Sequence, residues 1–229
     1  MLHKMNKKEV FQYEGLDISW INSTKKLVAF AFDDGPVPYD ETSSAMRILK
    51  TLEQYKQHGT FFYIGNQING STQKEIEYAI RIGCEIGNHT WTHPDLTTLS
   101  QVEMNEEIEK TRAELSRITG MSKFLLRYPY LSYNDQVLEI LNVPGVTCKF
   151  DSRDWDNGTY DSVIKHILAA KEDDALDGAI LLMHEHYDFT AKAVEYLVPY
   201  LLEQGYQIVS VSELAAVKKS ELIVGNTYV

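Results

Sequence analysis

Residues 26–36 read KLVAFAFDDGP and set two adjacent aspartates at the end of an apolar run. Residues 26–32 have the composition of a buried strand, and Gly35-Pro36 stop it. Asp33 and Asp34 then pose a physical problem. Like charges in contact repel, and each raises the other's pKa. Two arrangements relieve this: a cation beside the pair, or exposure in a plain Asp-Gly turn. In a regular strand the two side chains would point to opposite faces. The break at Gly35-Pro36 would let the backbone turn and aim both at one rim.

Further β-rich runs follow: TFFYI (60–64), CEIGNH (84–89), FLLRY (124–128), VTCKF (146–150), AILLMH (179–184) and YQIVSV (206–211). Helical patterns lie between them. Met46, Leu49 and Leu52 give helical spacing over residues 41–55. Ser100 and Glu103 form a capping box for a helix running to about Thr119, stopped by Gly120. Residues 190–204 predict another helix, stopped by Gly205, in which Pro199 marks a kink or break. Strand and helix thus alternate about seven times. Alternation predicts a mostly parallel sheet with helices outside, either a (β/α) barrel or a doubly wound open sheet. In both, the site lies at the C-terminal ends of the strands.

The chain has 229 residues, 44% hydrophobic and 24% charged, with a net charge of −11. That composition suits a single globular domain, and we read residues 1–229 as one domain. An acidic surface repels phosphate backbones, so no nucleic-acid partner is expected. No apolar run approaches the ~20 residues of a membrane span. MLHKMNKKEVFQYEG has no apolar core of a signal peptide. This leaves a cytoplasmic protein or, as expected here, a mature exported domain or a fragment of a larger secreted one. Cys84 and Cys148 lack metal or redox spacing and are expected to be free thiols.

Each strand can be asked what polar residue ends it. The answers are Asp33-Asp34, then His89 with His93 four residues on, then Arg127, then Asp151 with Asp154 beyond it, then His184. His89 and His93 would share one face if helical. With one carboxylate they make a three-donor set for Zn²⁺, though HxxxH alone is also common on surfaces. The second aspartate would then stay free to accept a proton from metal-bound water. Arg127 would pair with that aspartate and orient it. His184 is the candidate general acid, with His186 a competitor two residues on. Asp154 would hold the acid histidine protonated, unless it serves only as a turn residue beside Asp156-Asn157-Gly158.

Taken together, these residues resemble the polysaccharide deacetylase family, the NodB-homology domain of carbohydrate esterase family 4. Five short motifs stand in the family's order: Ala31-Phe32-Asp33-Asp34-Gly35-Pro36, His89-Thr90-Trp91-Thr92-His93, Arg127-Tyr128-Pro129-Tyr130, Asp151-Ser152-Arg153-Asp154-Trp155 and Leu182-Met183-His184. GTFFYIG (59–65) is similar to another family strand, and VSEL (211–214) to its closing strand. The resemblance covers residues 26–214. It implies a distorted (β/α) barrel of about seven parallel strands with outer helices.

The resemblance also implies roles. Asp33 would be the general base, and Asp34, His89 and His93 the ligands of one divalent metal ion. Zn²⁺ is expected, and Co²⁺ or Ni²⁺ would suit the same donors. Arg127 would tune Asp33, and Asp154 would tune His184, the general acid. The Tyr130 N–H would stabilise the oxyanion, while Trp155 and Leu182 would line the pocket for the acetyl methyl. Ala31, Tyr128 and Leu131 depart from the commoner residues, and the last two bear on the substrate groove.

The implied activity is metal-dependent removal of acetyl groups from chitin, peptidoglycan or acetylated xylan by a monomer. A catalytically weak carbohydrate-binding relative and a non-haem iron oxygenase are the alternatives. The first would be marked by loss of Asp33 or His184, and both are present. The second is disfavoured by the extra aspartate and the separate histidine.

Overall fold

The computed structural model describes residues 9–172 and 175–229. The strands are β1 (Lys26–Gly35), β2 (Thr60–Tyr63), β3 (Glu85–Asn88), β4 (Leu126–Arg127), β5 (Gly145–Val146), β6 (Phe150–Asp151), β7 (Ala179–His184), β8 (Tyr206–Val209) and β9 (Thr227–Tyr228). All pair in parallel in the order β6-β7-β1-β2-β3-β4-β5-β9, and β8 also pairs with β1. The helices are α1 (Ser44–Tyr55), α2 (Gln73–Arg81), α3 (Gln101–Thr119), α4 (Asp135–Ile140), α5 (Tyr160–Glu172), α6 (Asp188–Glu203) and α7 (Val211–Lys218). The sheet curls into a half-barrel with helices around it, the distorted α/β barrel expected.

β1 is the axis of the fold because it is long and apolar on both faces. One edge carries β7 over Val28–Asp33. The other is shared by β8, beside Lys26–Ala29, and β2, beside Ala31–Gly35. Alternation sorts its side chains into two cores. Leu27, Ala29 and Ala31 pack inside with Leu126, Val146 and Ile180. Val28, Phe30 and Phe32 pack outside with Met46, Leu49, Val194 and Leu197 from α1 and α6.

Among the described residues nine strands replace the expected seven, for two reasons. VTCKF does not make one strand, because the chain there changes partners. Thr147 N–H donates to the Tyr228 carbonyl at 2.9 Å, and Lys149 N–H to the Ile180 carbonyl at 3.0 Å. The segment therefore crosses from the β5–β9 edge to the β7 edge and spans the opening of the half-barrel. β9 itself is a two-residue strand with no sequence signal.

The helix predictions fare unevenly. α3 has the full Ser100–Glu103 capping box, and Gly120 follows at φ +74°. α1 begins at Ser44 rather than Glu41, capped by Ser43. α6 runs through Pro199 without a break. The N–H missing at Pro199 would have bonded the carbonyl of Glu195, an exposed residue that water can reach. VSEL is not the closing strand: β8 ends at Val209, and Val211 opens α7 under a Ser210–Glu213 capping box. Cys84 and Cys148 are free thiols, as expected.

At the N-terminal end of β3 the Glu85 carboxylate is buried and accepts from Thr60 Oγ1 at 2.9 Å and Ser212 N at 3.0 Å. Burial pushes this carboxyl up to about 7, although those hydrogen bonds oppose the rise. The folded state therefore holds a proton that the unfolded chain releases near pH 4.3. Stability should fall as pH rises through the window from about 4.5 to 7, by at most about 1.4 kcal/mol per pH unit from this group. Urea midpoints across pH 5–8 should lose that slope in Glu85→Gln, and an unchanged slope refutes the assignment.

Candidate active site

Asp33 continues the inward series of β1 after Ala31 and is buried at the C-terminal rim. Asp34 should point outward. It is turned inward by a positive φ of +69° and by a shift of register against β2 between Phe32 and Gly35. That irregularity re-aims one side chain, as a bulge does. The redirection thus occurs at Asp34 itself, one residue before the expected break.

His89 follows β3. Its Nδ1 lies 2.9 Å from the Arg127 carbonyl. A carbonyl only accepts, so Nδ1 carries a proton, and in the neutral ring Nε2 offers its lone pair. His93 arrives by a turn rather than by the helical face expected for HxxxH, with Thr90 and His93 at φ +66° and +59°. Three side chains hold that turn. Asn88 Oδ1 accepts the Thr90 N–H at 2.8 Å, and Thr90 Oγ1 accepts the His93 N–H at 3.1 Å. Glu107 on α3 accepts the N–H groups of Trp91 and Thr92 at 2.9 and 2.7 Å.

Both imidazole Nε2 atoms lie 3.3 Å from Asp34 Oδ1. The three donor groups stand within 4.8 Å of one another. Asp34 Oδ1 is buried and has no hydrogen-bond partner among the described residues. Burial alone would raise the Asp34 carboxyl, but His89, His184 and His93 outweigh it and hold the group well below the usual carboxylate range. Burial, with His89 beside it, lowers His93 and favours the neutral ring that binds metals. An ionised carboxylate, two lone pairs and one unpartnered buried oxygen fit a divalent cation.

On the other side, β1 and β7 pair so that Asp33 and His184 are direct neighbours. Asp154 sits behind His184, its Oδ1 2.6 Å from His184 Nδ1 and its Oδ2 accepting the His184 N–H at 2.7 Å. Thr190 Oγ1 donates to the same Oδ2 at 2.9 Å. Burial disfavours the charged ring, but Asp154, and then Asp33 and Asp34, push His184 up to about 9. Its Nε2 lies 3.8 Å from Asp34 Oδ2 and faces the cavity. His186, the competitor, lies past the end of β7 and is exposed, with no carboxylate bond among the described contacts.

Arg127 is fully buried, its Nε 3.6 Å from Asp33 Oδ2 and its guanidinium 4.8 Å above the Phe62 ring. A cavity of about 310 Å³ opens over these groups. Its walls include Tyr130, Leu131, Asp151, Trp155 and Leu182. Tyr130 stands at φ +58°, with its ring 4.8 Å from His93. Trp155 Nε1 donates to Asp151 Oδ2 at 2.9 Å. Tyr128 also lines the cavity, but its buried hydroxyl bonds Thr227 Oγ1 at 3.1 Å and fills the space over Gly145. The residues given roles by the resemblance thus meet at one rim, with Arg127 and Asp154 behind the cavity wall and His186 outside it. Glu107 and Thr190 were missed, because neither lies near a motif and only the fold brings them in.

A parallel α/β half-barrel with an Asp-His-His cluster and a facing Asp–His pair at its C-terminal rim defines the class. A family model described as polysaccharide deacetylase matches residues 21–148, and the chain belongs to that family. Peptidoglycan-N-acetylmuramic acid deacetylase PdaC of Bacillus subtilis is 33% identical over 199 residues, 87% of this chain and 41% of that protein. Peptidoglycan-N-acetylglucosamine deacetylase PgdA of Listeria monocytogenes is 34% identical over 208 residues, 90% of this chain and 41% of that protein. The chain therefore spans about two-fifths of the length of these relatives. A family 4 acetyl xylan esterase from Clostridium thermocellum, solved with a cobalt ion, superposes with a TM-score of 0.79 at 27% identity, covering 89% of this chain and 98% of that one. Among the described residues no helix is long and apolar enough to cross a membrane.

Proposed function

We propose that this chain is a metal-dependent hydrolase that removes acetyl groups from an acetylated carbohydrate. The observation that carries the reading is the Asp33–His184 pair on adjacent strands, facing one cavity beside the Asp34-His89-His93 cluster. A divalent ion held by Asp34, His89 and His93, with Zn²⁺ first and Co²⁺ or Ni²⁺ suited to the same donors, would polarise the acetyl carbonyl and lower the pKa of a bound water.

The chain's own residues supply the rest. Asp33 takes the proton of the attacking water. Arg127, beside it, orients its carboxylate. The Tyr130 N–H donates to the oxygen that gains charge as the carbonyl carbon becomes tetrahedral. His184, kept protonated by Asp154, gives its proton to the departing nitrogen or oxygen of the sugar. Trp155 and Leu182 enclose the acetyl methyl.

Relatives named for N-acetyl sugars of peptidoglycan support that polymer as the first substrate to test, and acetylated xylan as the second. Acetate release should be measured on peptidoglycan, chitooligosaccharides and acetylated xylan, before and after chelation. Release from at least one, abolished by complete metal removal and restored by added Zn²⁺ or Co²⁺, is the expected result. Activity that survives complete metal removal overturns the reading.

A further inference from the structure

A second group of acids lies on the outer face of the sheet, directly behind the Asp34 turn. Glu75 on α2, Glu185 just after His184, and Tyr63 at the end of β2 are all fully buried there. The Glu75 and Glu185 carboxyls face each other. Glu75 Oε2 accepts the Val37 N–H at 2.9 Å. Glu75 Oε1, both oxygens of Glu185 and the Tyr63 hydroxyl receive no hydrogen bond from any other described residue. Asp34 and Asp33 raise Glu185 as well, Cys84 lies beside Tyr63, and among the described residues no Lys, Arg or His pairs with Glu75 Oε1 or with either Glu185 oxygen.

Two buried carboxylates that face each other repel when both are ionised. One proton between them removes the repulsion, since a protonated carboxyl can donate to its neighbour. Burial raises both groups, Glu75 to about 7 and Glu185 well above the carboxylate range, and the Glu75 charge raises Glu185 further.

The position of the pair gives it a task. A Cβ added to Gly35 would stand 1.6 Å from Glu185 Oε1 and 2.9 Å from Tyr63 Cδ1. Glu185 thus occupies the space that a side chain at position 35 would need. Glu75 grips the same turn two residues later, through Val37. The acid pair supports the turn from behind at both points, next to Asp34, whose positive φ turns its carboxylate toward His89 and His93.

We propose that Glu75 and Glu185 share one proton, and that the resulting acid–carboxylate pair is a positioning element that fixes residues 34–37 and with them the Asp34 carboxylate. The second half of this statement rests on Asp34, His89 and His93 being metal ligands, and the first half does not.

Two measurements test it. In the infrared difference spectrum at pH 7, wild type minus Glu185→Gln should show the carbonyl band of a protonated carboxylic acid, and its absence overturns the shared proton. The glutamine amide would mimic the protonated partner at unchanged net charge, so the metal-free Glu185→Gln protein should bind Zn²⁺ as tightly as wild type in a chelator competition. Glu185→Ala should bind it about tenfold or more weakly, with an unaltered circular dichroism spectrum. Wild-type affinity in Glu185→Ala overturns the positioning role. Equal weakening in Glu185→Gln overturns the shared proton, since both charges would then be required, as for a bound cation. Should Glu185→Ala not fold, Glu75→Gln and Glu75→Ala carry the same comparison from α2. A wild-type protein that binds no Zn²⁺ defeats the metal reading and leaves the infrared result to stand.

Discussion

Asp33→Asn is expected to fold, to bind Zn²⁺ like the wild type, and to lose roughly 10²- to 10⁴-fold in turnover. The asparagine keeps the shape of the side chain and leaves Asp34, His89 and His93 in place. What it removes is the buried carboxylate that faces the cavity without belonging to the Asp34-His89-His93 cluster. An amide oxygen is too weak a base to take a proton from water at neutral pH. The loss should fall on kcat, with KM little changed, because the proposed base would act on the attacking water rather than on the sugar. Acetate-release kinetics beside Zn²⁺ titration separate the outcomes. Near-wild-type turnover refutes Asp33 as base. Lost Zn²⁺ binding shows that the two aspartates have been assigned in the wrong order.

The second large effect belongs to Asp154→Asn. In the native protein Asp154 bonds both the ring and the backbone of His184, and His184 stays protonated up to about pH 9. The sign follows from which form works. In the proposed mechanism the protonated ring is the donor, so activity should decline as pH rises through the folded pKa. An uncharged amide in place of the Asp154 carboxylate should let that pKa fall toward the ordinary histidine value near 6.5. At pH 8 the protonated fraction would drop from most of the molecules to a few per cent, and turnover by about 30-fold. At pH 6 the two proteins should differ far less. The same linkage makes the Asp154–His184 bond contribute fully to stability below about pH 6.5 and fade through about pH 9. A pH–rate profile whose alkaline limb does not move would remove Asp154 from this role.

Much of the site was legible because its residues end apolar runs. Asp33 and His184 terminate the two longest buried strands, and periodicity alone puts both on the inner face. The fold class followed from the alternation of strand and helix. What stayed hidden has specific causes. The inward turn of Asp34 depends on a positive φ that no residue type dictates. The HTWTH turn depends on Glu107, fourteen residues beyond His93 in a helix with its own amphipathic pattern. VTCKF reads as one strand because local composition cannot show a change of partner in mid-run. The Ser210–Glu213 capping box was visible as a pattern, but the apolar run of β8 continued across it. Pro199 shows the opposite failure, where tertiary packing outweighed a strong local signal.

The pairing of Asp33 with His184 turns the backbone ladder into a ruler. Adjacent strands lie about 4.8 Å apart, so the main-chain hydrogen bonds set the spacing from which the Asp33 and His184 side chains start. Loops at the rim are free to lengthen, shorten or change charge without altering that spacing. A one-residue deletion within β7 is not, because it would move Met183 or Glu185 onto the rung opposite Asp33 and turn the imidazole to the outer face. Diversification toward new sugars is therefore open through the residues around Tyr130, Leu131 and Trp155, while the two central strands admit substitution but no change of length.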